Sequence, residues 1–254
     1  MRKTAMAAPV VALALNLTLP SAAAQKIYWV NGGFGSASIQ RADLDGSHVE
    51  TIPVPGVTFL FGIDIDSSAG KMYWSDAGTG KVQRANLDGS GLEDVATLIN
   101  FPTGIAVDAD GGKVYWANED MPDKIHRADL DGANGEVLIS SGIQGPSSVA
   151  LDPAGGKVYW AEFGGLFGGN IKRANLDGTG LEFIVNGMDT GAWGLALDVA
   201  GGKMYWTQLR NEQDQIMSVV NRANLDGSSV ETLVTGTPSS NYNGIALDLS
   251  AGKM

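Results

Sequence analysis

A pair of aromatic residues, Tyr-Trp, recurs five times along this chain of 254 residues. Successive copies lie 45, 42, 44 and 46 residues apart, and their tryptophans are Trp29, Trp74, Trp116, Trp160 and Trp206. Self-similarity at a period of about 40–50 residues is typical of solenoids and propellers. The segments between copies are short, rich in β-branched and aromatic residues, and separated by Gly and Asp, which favours strands. We therefore predict an all-β propeller of four-stranded antiparallel blades, with five blades encoded here.

A second motif, Arg-Ala-(Asp or Asn)-Leu-Asp-Gly, follows each Tyr-Trp, with its arginine at Arg41, Arg84, Arg127, Arg173 and Arg222. Asp or Asn at the first turn position favours a type I turn with the glycine left-handed in a bulge. The bulge shifts the register by one residue, so we expect Arg and the Glu nine residues later on opposite faces. The arginines would then enter the seams between blades. The alternative is a two-residue Asp-Gly turn that places Arg41 opposite Glu50 as a cross-strand ion pair.

The connection lengths separate two faces of the propeller. Each blade is expected to contain strands A to D, and the Tyr of strand B always lies seven positions after the last Asp of strand A. The Arg-to-Glu interval is always nine, whereas the Trp-to-Arg interval varies from 10 to 16. The A–B and C–D turns therefore form a constant face, and the B–C and D–A loops form a variable face. Variable loops on a rigid scaffold are where recognition usually lies.

The innermost strand A is predicted once per repeat, but the first repeat lacks its own copy. The predicted segments are Gly62–Asp66, Gly104–Asp108, Ser148–Asp152, Gly194–Asp198 and Gly244–Asp248. We expect Gly244–Asp248 to close the ring by completing the sheet of the first repeat.

The first 24 residues have the pattern of a secretory signal peptide. Arg2 and Lys3 precede an apolar stretch from Ala5 to Leu19, and the small residues Ala22 to Ala24 form a cleavage site. The apolar stretch is too short for a membrane span. We predict a signal peptide over 1–24, a propeller domain over 25–254, and a secreted, periplasmic or extracellular protein.

The charge and cysteine content exclude some classes of partner. Without Arg2 and Lys3 the chain has 15 basic and 28 acidic residues, a net charge of −13. Nucleic-acid binding needs a basic face, so no nucleic-acid partner is expected. The chain has no cysteine, and therefore neither a disulfide framework nor a cysteine nucleophile.

The repeated motifs also resemble a known family. Tyr-Trp, Ile-x-Arg-Ala-Asn-Leu-Asp-Gly and Gly-Ile-Ala-Leu-Asp are similar to the Tyr-Trp-Thr-Asp (YWTD) repeats, the class B repeats of low-density-lipoprotein-receptor relatives, over roughly residues 26–254. The resemblance implies a six-bladed propeller that binds a protein or peptide, and it makes this chain either a truncated relative or a closed five-bladed ring. No repeat carries Thr-Asp, and only Asp76 keeps the Asp that helps to tie blades together in the family. The other repeats have Asn31, Asn118, Glu162 and Gln208 there.

Residues that break the repeat symmetry are the candidates for function. Asp64 takes a strand A position where the other repeats have alanine, so it is expected to project into the central channel. Aromatic and amide side chains precede several A strands and would form a platform on the variable face. The candidate binding residues are Phe59, Phe61, Asp64, Phe101, Trp193, Asn241, Tyr242 and Asn243.

No catalytic residues are predicted, because the two histidines, His48 and His126, lie near C–D hairpins. We interpret the Asp at the end of each strand A as a turn residue rather than a calcium ligand. The leading hypothesis is a non-enzymatic binding propeller without a cofactor. One alternative is a metal-dependent sugar-lactone hydrolase or lyase, with a divalent cation such as calcium held by the carboxylates and amides after Tyr-Trp. Another is a structural cell-surface module.

Overall fold

The computed structural model describes residues 11–15, 26–32, 36–164, 168–212, 215–238, 243–247 and 254. The regular elements in these ranges are β-strands, arranged in five antiparallel sheets of four. Strands pair in chain order within each sheet, which gives the A–B–C–D meander of a propeller blade. The predicted five-bladed β-propeller is therefore confirmed. No helix long and apolar enough to cross a membrane occurs in the described residues.

The strands are numbered in chain order, four to a blade. Blade 1 comprises β1 (Val11–Leu15), β2 (Lys26–Asn31), β3 (Ser38–Asp43) and β4 (Glu50–Ile52). Blade 2 comprises β5 (Leu60–Asp66), β6 (Lys71–Asp76), β7 (Lys81–Asn86) and β8 (Glu93–Ala96). Blade 3 comprises β9 (Pro102–Asp108), β10 (Lys113–Asn118), β11 (Lys124–Asp129) and β12 (Glu136–Ile139). Blade 4 comprises β13 (Pro146–Asp152), β14 (Lys157–Glu162), β15 (Gly169–Asn175) and β16 (Glu182–Met188). Blade 5 comprises β17 (Ala192–Asp198), β18 (Lys203–Glu212), β19 (Gln215–Asn224) and β20 (Glu231–Pro238).

The A strands lie side by side around the axis, as predicted. β5 contacts both β1 and β9, and β13 contacts both β9 and β17. The approach is closest at Gly104, where an added Cβ would lie 2.5 Å from the Cα of Ser148 in the next blade. Only glycine permits this spacing. Thr103 Oγ1 donates to Pro146 O at 2.7 Å, which joins blades 3 and 4 near the axis.

The Tyr-Trp segments form strand B and supply the largest side chains of the core. Trp74, Trp160 and Trp206 are fully buried, and the side chains of the same strands alternate between two core clusters, one on each side of the blade. A strand covered on both faces needs apolar residues at both parities. The side chains of the recurrent Tyr-Trp segment thus pack each blade against the blades on its two sides.

The C–D hairpins contain the predicted type I turn, but its predicted consequence is wrong. Gly46 N donates to Asp43 O at 2.8 Å, and Gly46 is left-handed with a φ of 81°. Two residues later a second left-handed residue adds another irregularity and restores the original parity. In the five blades this second left-handed residue is His48, Gly91, Asn134, Gly180 and Ser229, with φ between 52° and 66°. Arg41 is therefore directly opposite Glu50, and its Nε donates to Glu50 Oε1 at 2.6 Å.

The arginines nevertheless reach the seams between blades, as expected. Arg41 Nη1 donates to Leu87 O of the next blade at 2.9 Å, and Arg84 Nη1 donates to Leu130 O at 2.7 Å. The same bond recurs from Arg127 and from Arg173. One guanidinium has enough donors to bind the cross-strand Glu and the neighbouring carbonyl together. The structure therefore contains both the predicted contact in the seam between blades and the alternative, the cross-strand ion pair.

The first blade differs from expectation. Its strand A is β1, whose Leu13 is paired with Trp29, and it lies inside the segment predicted to be a signal peptide. Of the expected strand, Gly244–Asp248, the start lies beside β17: a Cβ added to Gly194 would lie 3.0 Å from the Cα of Gly244. Because the chain passes outward through β20 before residue 243, this segment continues the ring beyond blade 5. Asp248 lies outside the described residues.

The Asp residues that end the A strands form turns, as predicted. Asp108 Oδ1 accepts from Gly111 N at 2.8 Å, and Asp152 and Asp198 make the same bond three residues along. Asp66 accepts from Ala69 N at 2.9 Å. These carboxylates fix the A–B turns of the constant face.

Candidate functional site

An open groove of about 890 Å³ lies on the variable face between blades 3 and 4. Two of its walls are D–A connections, residues 100–101 and 143–145. The other two are B–C connections, residues 119–123 and 163–164. No lining residue comes from the constant face. We name this cavity the blade 3–4 groove.

The apolar side chains of the groove are Phe101, Met121, Ile143 and Phe163. Met121 is 99% exposed and Phe163 is 39% exposed, so both are available to a partner. Phe101 has a left-handed backbone with a φ of 49°, where the next D–A loop has Gly145. A left-handed non-glycine residue costs roughly 1–2 kcal/mol, and such residues cluster at functional sites.

Carboxylates form the acidic rim of the groove. Burial and the neighbouring Asp123 raise the pKa of Glu119. Asp120 accepts from Asn100 Nδ2 at 3.0 Å, a bond that lowers the pKa of its carboxyl. Asp123 Oδ2 accepts from Gly145 N at 2.6 Å and so holds the opposite wall in place. The nearest cation is Lys124, 3.9 Å from Asp120, which leaves the rim negative.

In blades 2 and 4 the polar residue that ends the Tyr-Trp strand holds loops of the variable face. Asp76 accepts from the backbone N–H groups of Thr58 and Phe59 before strand A, and of Thr79 in its own B–C turn. The equivalent Glu162 accepts from Gln144 N at 3.1 Å, directly beneath the groove. These side chains position loops, as the turn-capping interpretation expects. The described residues contain no cluster of three His, Cys, Asp or Glu that would hold a metal ion.

Three of the predicted platform residues come together. The rings of Phe59 and Phe61 are 5.4 Å apart, and Phe101 lies 5.4 Å from Phe61 and 6.1 Å from Phe59. Phe59 is buried and belongs to the core, whereas Phe101 continues into the groove. Trp193 lies apart from these three and packs against Phe163 at 4.6 Å.

The remaining predicted residues are placed only in part. Asn243 lies beside the inner strand of blade 5, where its carbonyl accepts from Thr207 Oγ1 at 3.3 Å. Asn241 and Tyr242 lie outside the described residues. The loop from Glu119 to Asp123 was not among the predicted binding residues. Its signal was three acidic residues around an exposed Met-Pro in one B–C loop.

Asp64 occupies the strand A position at which the other repeats have alanine, and its side chain joins blades 2 and 3. Its Oδ2 accepts from Val107 N of blade 3 at 2.8 Å, and its Oδ1 accepts from Ile65 N at 2.8 Å. Burial raises the pKa of the carboxyl to about 6, and the two backbone hydrogen bonds oppose that increase. Its side chain is therefore partly protonated near pH 6.

Asp64→Asn is expected to change how stability depends on pH. The folded-state pKa of about 6 lies above the ordinary value of about 3.9. The folded protein then binds more protons than the unfolded chain between these values, so Asp64 lowers stability as the pH rises through that window. The difference in melting temperature between the wild type and Asp64→Asn should change in favour of the variant from pH 4 to pH 7. A difference that stays constant over this range would contradict the assignment.

The comparisons with known proteins agree with the fold. The family model described as low-density lipoprotein receptor repeat class B matches residues 25–52 and 70–109. A chain in the crystal structure of a nidogen/laminin complex is similar, with a TM-score of 0.76, 20% sequence identity, and coverage of 92% of this chain and 83% of that one. No curated protein matches the chain in sequence.

Two further solved structures share the fold. A putative TolB from Agrobacterium tumefaciens has a TM-score of 0.69 at 18% identity, covering 83% of this chain and 76% of its own. The hydrazine synthase of Kuenenia stuttgartiensis has a TM-score of 0.64 at 14% identity, covering 82% of this chain and 62% of its own. At these identities the likeness concerns the fold alone. Residues 25–52 and 70–109 therefore match the model of the class B repeat of the low-density lipoprotein receptor, in a chain whose described residues form a five-bladed β-propeller.

Proposed function

We propose that this chain is a secreted, non-enzymatic propeller that binds a protein or peptide partner in the blade 3–4 groove. The observation that carries the proposal is the origin of the residues that line the groove: all of them belong to B–C or D–A connections of the variable face. A concave site with apolar walls and a few polar groups is the usual form of a binding site. Location outside the cytoplasm is supported by the signal-peptide pattern of residues 1–24.

The chemistry of the groove favours a partner segment with an apolar anchor and a basic neighbour. Phe163 and Met121 offer exposed apolar surface, and the rim carries Glu119 and Asp123. Groove walls that are already held in place lose little entropy when a large side chain of the partner enters. The walls are held by Phe163 N donating to Gly145 O at 2.7 Å and by Glu119 N donating to Phe101 O at 3.1 Å. The nidogen/laminin likeness adds that a propeller of this fold occurs in a protein complex.

Substitutions in the groove test the proposal. Phe163→Ala and Met121→Ala should each weaken binding of the natural partner by about 2 kcal/mol, or about 30-fold, since buried anchors dominate interface energies. Met121 is 99% exposed, so Met121→Ala should change the melting temperature little, whereas Phe163→Ala also removes the contact with Trp193 and should lower it modestly. Affinities are measured by calorimetry with the partner that co-purifies with the wild-type protein.

Asp88→Asn is the matched control, because Asp88 caps a C–D turn on the constant face through Ser90. It should leave the affinity for the partner unchanged. If Asp88→Asn weakened binding while both groove variants bound like the wild type, the partner would be on the constant face and the proposal would be wrong.

A further inference from the structure

A second cavity, of about 330 Å³, lies in the seam between blades 2 and 3. One side is formed by residues 95–100, which leave blade 2. The other is formed by β10, β11 and the start of β12. Trp116 and Asn118 on β10 face it together with Lys124 and His126 on β11, since these four positions share one face of the sheet. We name it the seam cavity.

Two buried polar atoms of the seam cavity have no hydrogen-bond partner among the described residues. They are the indole Nε1 of Trp116, a donor, and the side-chain oxygen of Asn118, an acceptor. Trp116 is 3% exposed and Asn118 is 2% exposed. An unpaired buried polar group costs about 1–3 kcal/mol, so a ligand that satisfied both the donor and the acceptor beside this cavity would gain free energy.

In other blades a side-chain oxygen accepts from the equivalent tryptophan. In blade 4, Trp160 Nε1 donates directly to Glu162 Oε1 at 3.0 Å, and in blade 5 Trp206 Nε1 donates to Gln208 Oε1 at 3.3 Å. Asn118 is one methylene shorter than Glu or Gln, and its oxygen does not accept from its tryptophan.

Blade 1 also has an asparagine, Asn31, at this position, but there the accepting oxygen comes from the adjacent strand β3. Gln40 Oε1 accepts from Trp29 Nε1 at 3.1 Å and from Asn31 Nδ2 at 2.7 Å. In blade 3 the residue opposite the tryptophan is His126, and its ring stacks on Trp116 with centroids 5.3 Å apart and planes at 5°. Blade 3 therefore lacks one bridging oxygen that blades 1, 4 and 5 supply from their own side chains.

Blade 2 also contains an indole without a partner, Trp74 Nε1. Trp74 is fully buried and lines neither the groove nor the seam cavity. The combination of an unpaired donor, an unpaired acceptor and open space is thus found in blade 3.

We propose that the seam cavity binds a small neutral hydroxylated molecule, a sugar or polyol, through a hydroxyl that accepts from Trp116 Nε1 and donates to Asn118 Oδ1. A hydroxyl is both donor and acceptor at one atom, which is what the two unpaired groups require. The inference is independent of the partner proposed for the blade 3–4 groove.

The rest of the cavity selects the same class of ligand. Val95, Ile99 and Val137 provide apolar surface for the C–H face of a sugar ring. Asp120, Glu136 and Lys124 place both signs of charge at the wall, which disfavours an ion of either sign. His126 is neutral at pH 7, because burial and the nearby Lys124 lower its pKa to about 4. A single water occupies about 30 Å³, so one water would leave most of this volume for a larger molecule.

The test is a titration of the ¹⁵N-labelled protein with methyl α-D-glucopyranoside, methyl α-D-mannopyranoside and myo-inositol, each to about 50 mM, which would detect millimolar binding. The readout is the indole N–H resonance of Trp116, assigned by comparison with Trp116→Phe. At least one probe should shift this resonance saturably. If none does, the cavity holds only water and the proposal is overturned.

Asn118→Gln supplies the longer acceptor that blade 5 uses and should close the gap to Trp116 Nε1. We expect this variant to fold with at least wild-type stability and to bind the active probe about tenfold more weakly or worse. Asn31→Gln in blade 1 is the matched control, where the tryptophan already has a partner, and it should bind like the wild type. Undiminished binding by Asn118→Gln would overturn the proposed hydroxyl bridge.

Discussion

Trp74→Ala is expected to destabilise the protein by about 3–5 kcal/mol, because truncation of a buried tryptophan removes apolar contacts and leaves a cavity. Trp74 is fully buried in the cluster that joins blades 1 and 2, where it packs with Ile63 and Met72. Its Nε1 has no hydrogen-bond partner among the described residues, so the loss is one of packing. A typical domain has a total stability of about 5–15 kcal/mol, and the variant should therefore be near its folding limit.

Trp193→Ala is the comparison for this prediction. Trp193 lies on β17 outside the Tyr-Trp column, is partly exposed and packs on Phe163. Its truncation should cost less than half as much as that of Trp74. Both free energies are measured by urea denaturation with the m-value checked for constancy. Equal losses of unfolding free energy would show that Trp193 is as much a part of the core as the tryptophans of the Tyr-Trp motifs.

Lys172→Asn is expected to cost about 3–5 kcal/mol, because it leaves the buried carboxylate of Glu162 without its cation. The pair lies at 2.8 Å with side-chain exposures of 5% and 0%. Lys172 also donates to Gly142 O at 2.7 Å, and Glu162 accepts from Trp160 and Gln144, so the pair supports one wall of the blade 3–4 groove.

The double variant Glu162→Gln/Lys172→Asn is the sharper half of this test. It reproduces the neutral pair of blade 5, where Asn221 Nδ2 donates to Gln208 Oε1 at 3.1 Å. We expect the double variant to recover most of the loss, to within about 1 kcal/mol of the wild type, since removal of both buried charges is often nearly neutral. If the double variant were no more stable than Lys172→Asn, the unpaired charge would not be the cause.

Much of the fold was predictable because five copies of one unit repeat the same physical requirements. Tyr-Trp needs two apolar faces, and Asp-Leu-Asp-Gly needs a left-handed glycine at the turn. The pairing of Arg41 with Glu50 was only the alternative prediction, because it depends on a second left-handed residue. That position holds His48, Gly91, Asn134, Gly180 or Ser229, and no common residue type marks it.

The inner strand of the first blade is β1 and not the predicted Gly244–Asp248, whereas the signal peptide stays a prediction. The pattern of Val11–Leu15 suits both the apolar stretch of a signal peptide and a short strand, and a strand pairs with the open edge of β2. Cleavage after Ala24 would remove β1, so the signal-peptide prediction and the observed strand describe different states of blade 1. N-terminal sequencing of the exported protein distinguishes them.

The candidate site was predicted in part. The sequence placed recognition on the variable face, and Phe101 reaches the groove there, but Phe59 proved to be core. The acidic loop from Glu119 to Asp123 was missed because its groove is formed by two neighbouring blades. A property that depends on the lateral contact of blades is not visible within one repeat.

The most direct test of the account is hydrogen–deuterium exchange of the protein with and without its partner. The account predicts that amide protection on binding is concentrated in residues 119–123, 143–145 and 163–164, while the five Asp-Gly turns of the constant face exchange as in the free protein. Protection concentrated in the Asp-Gly turns, with the groove loops unchanged, would contradict the claim that function lies on the variable face.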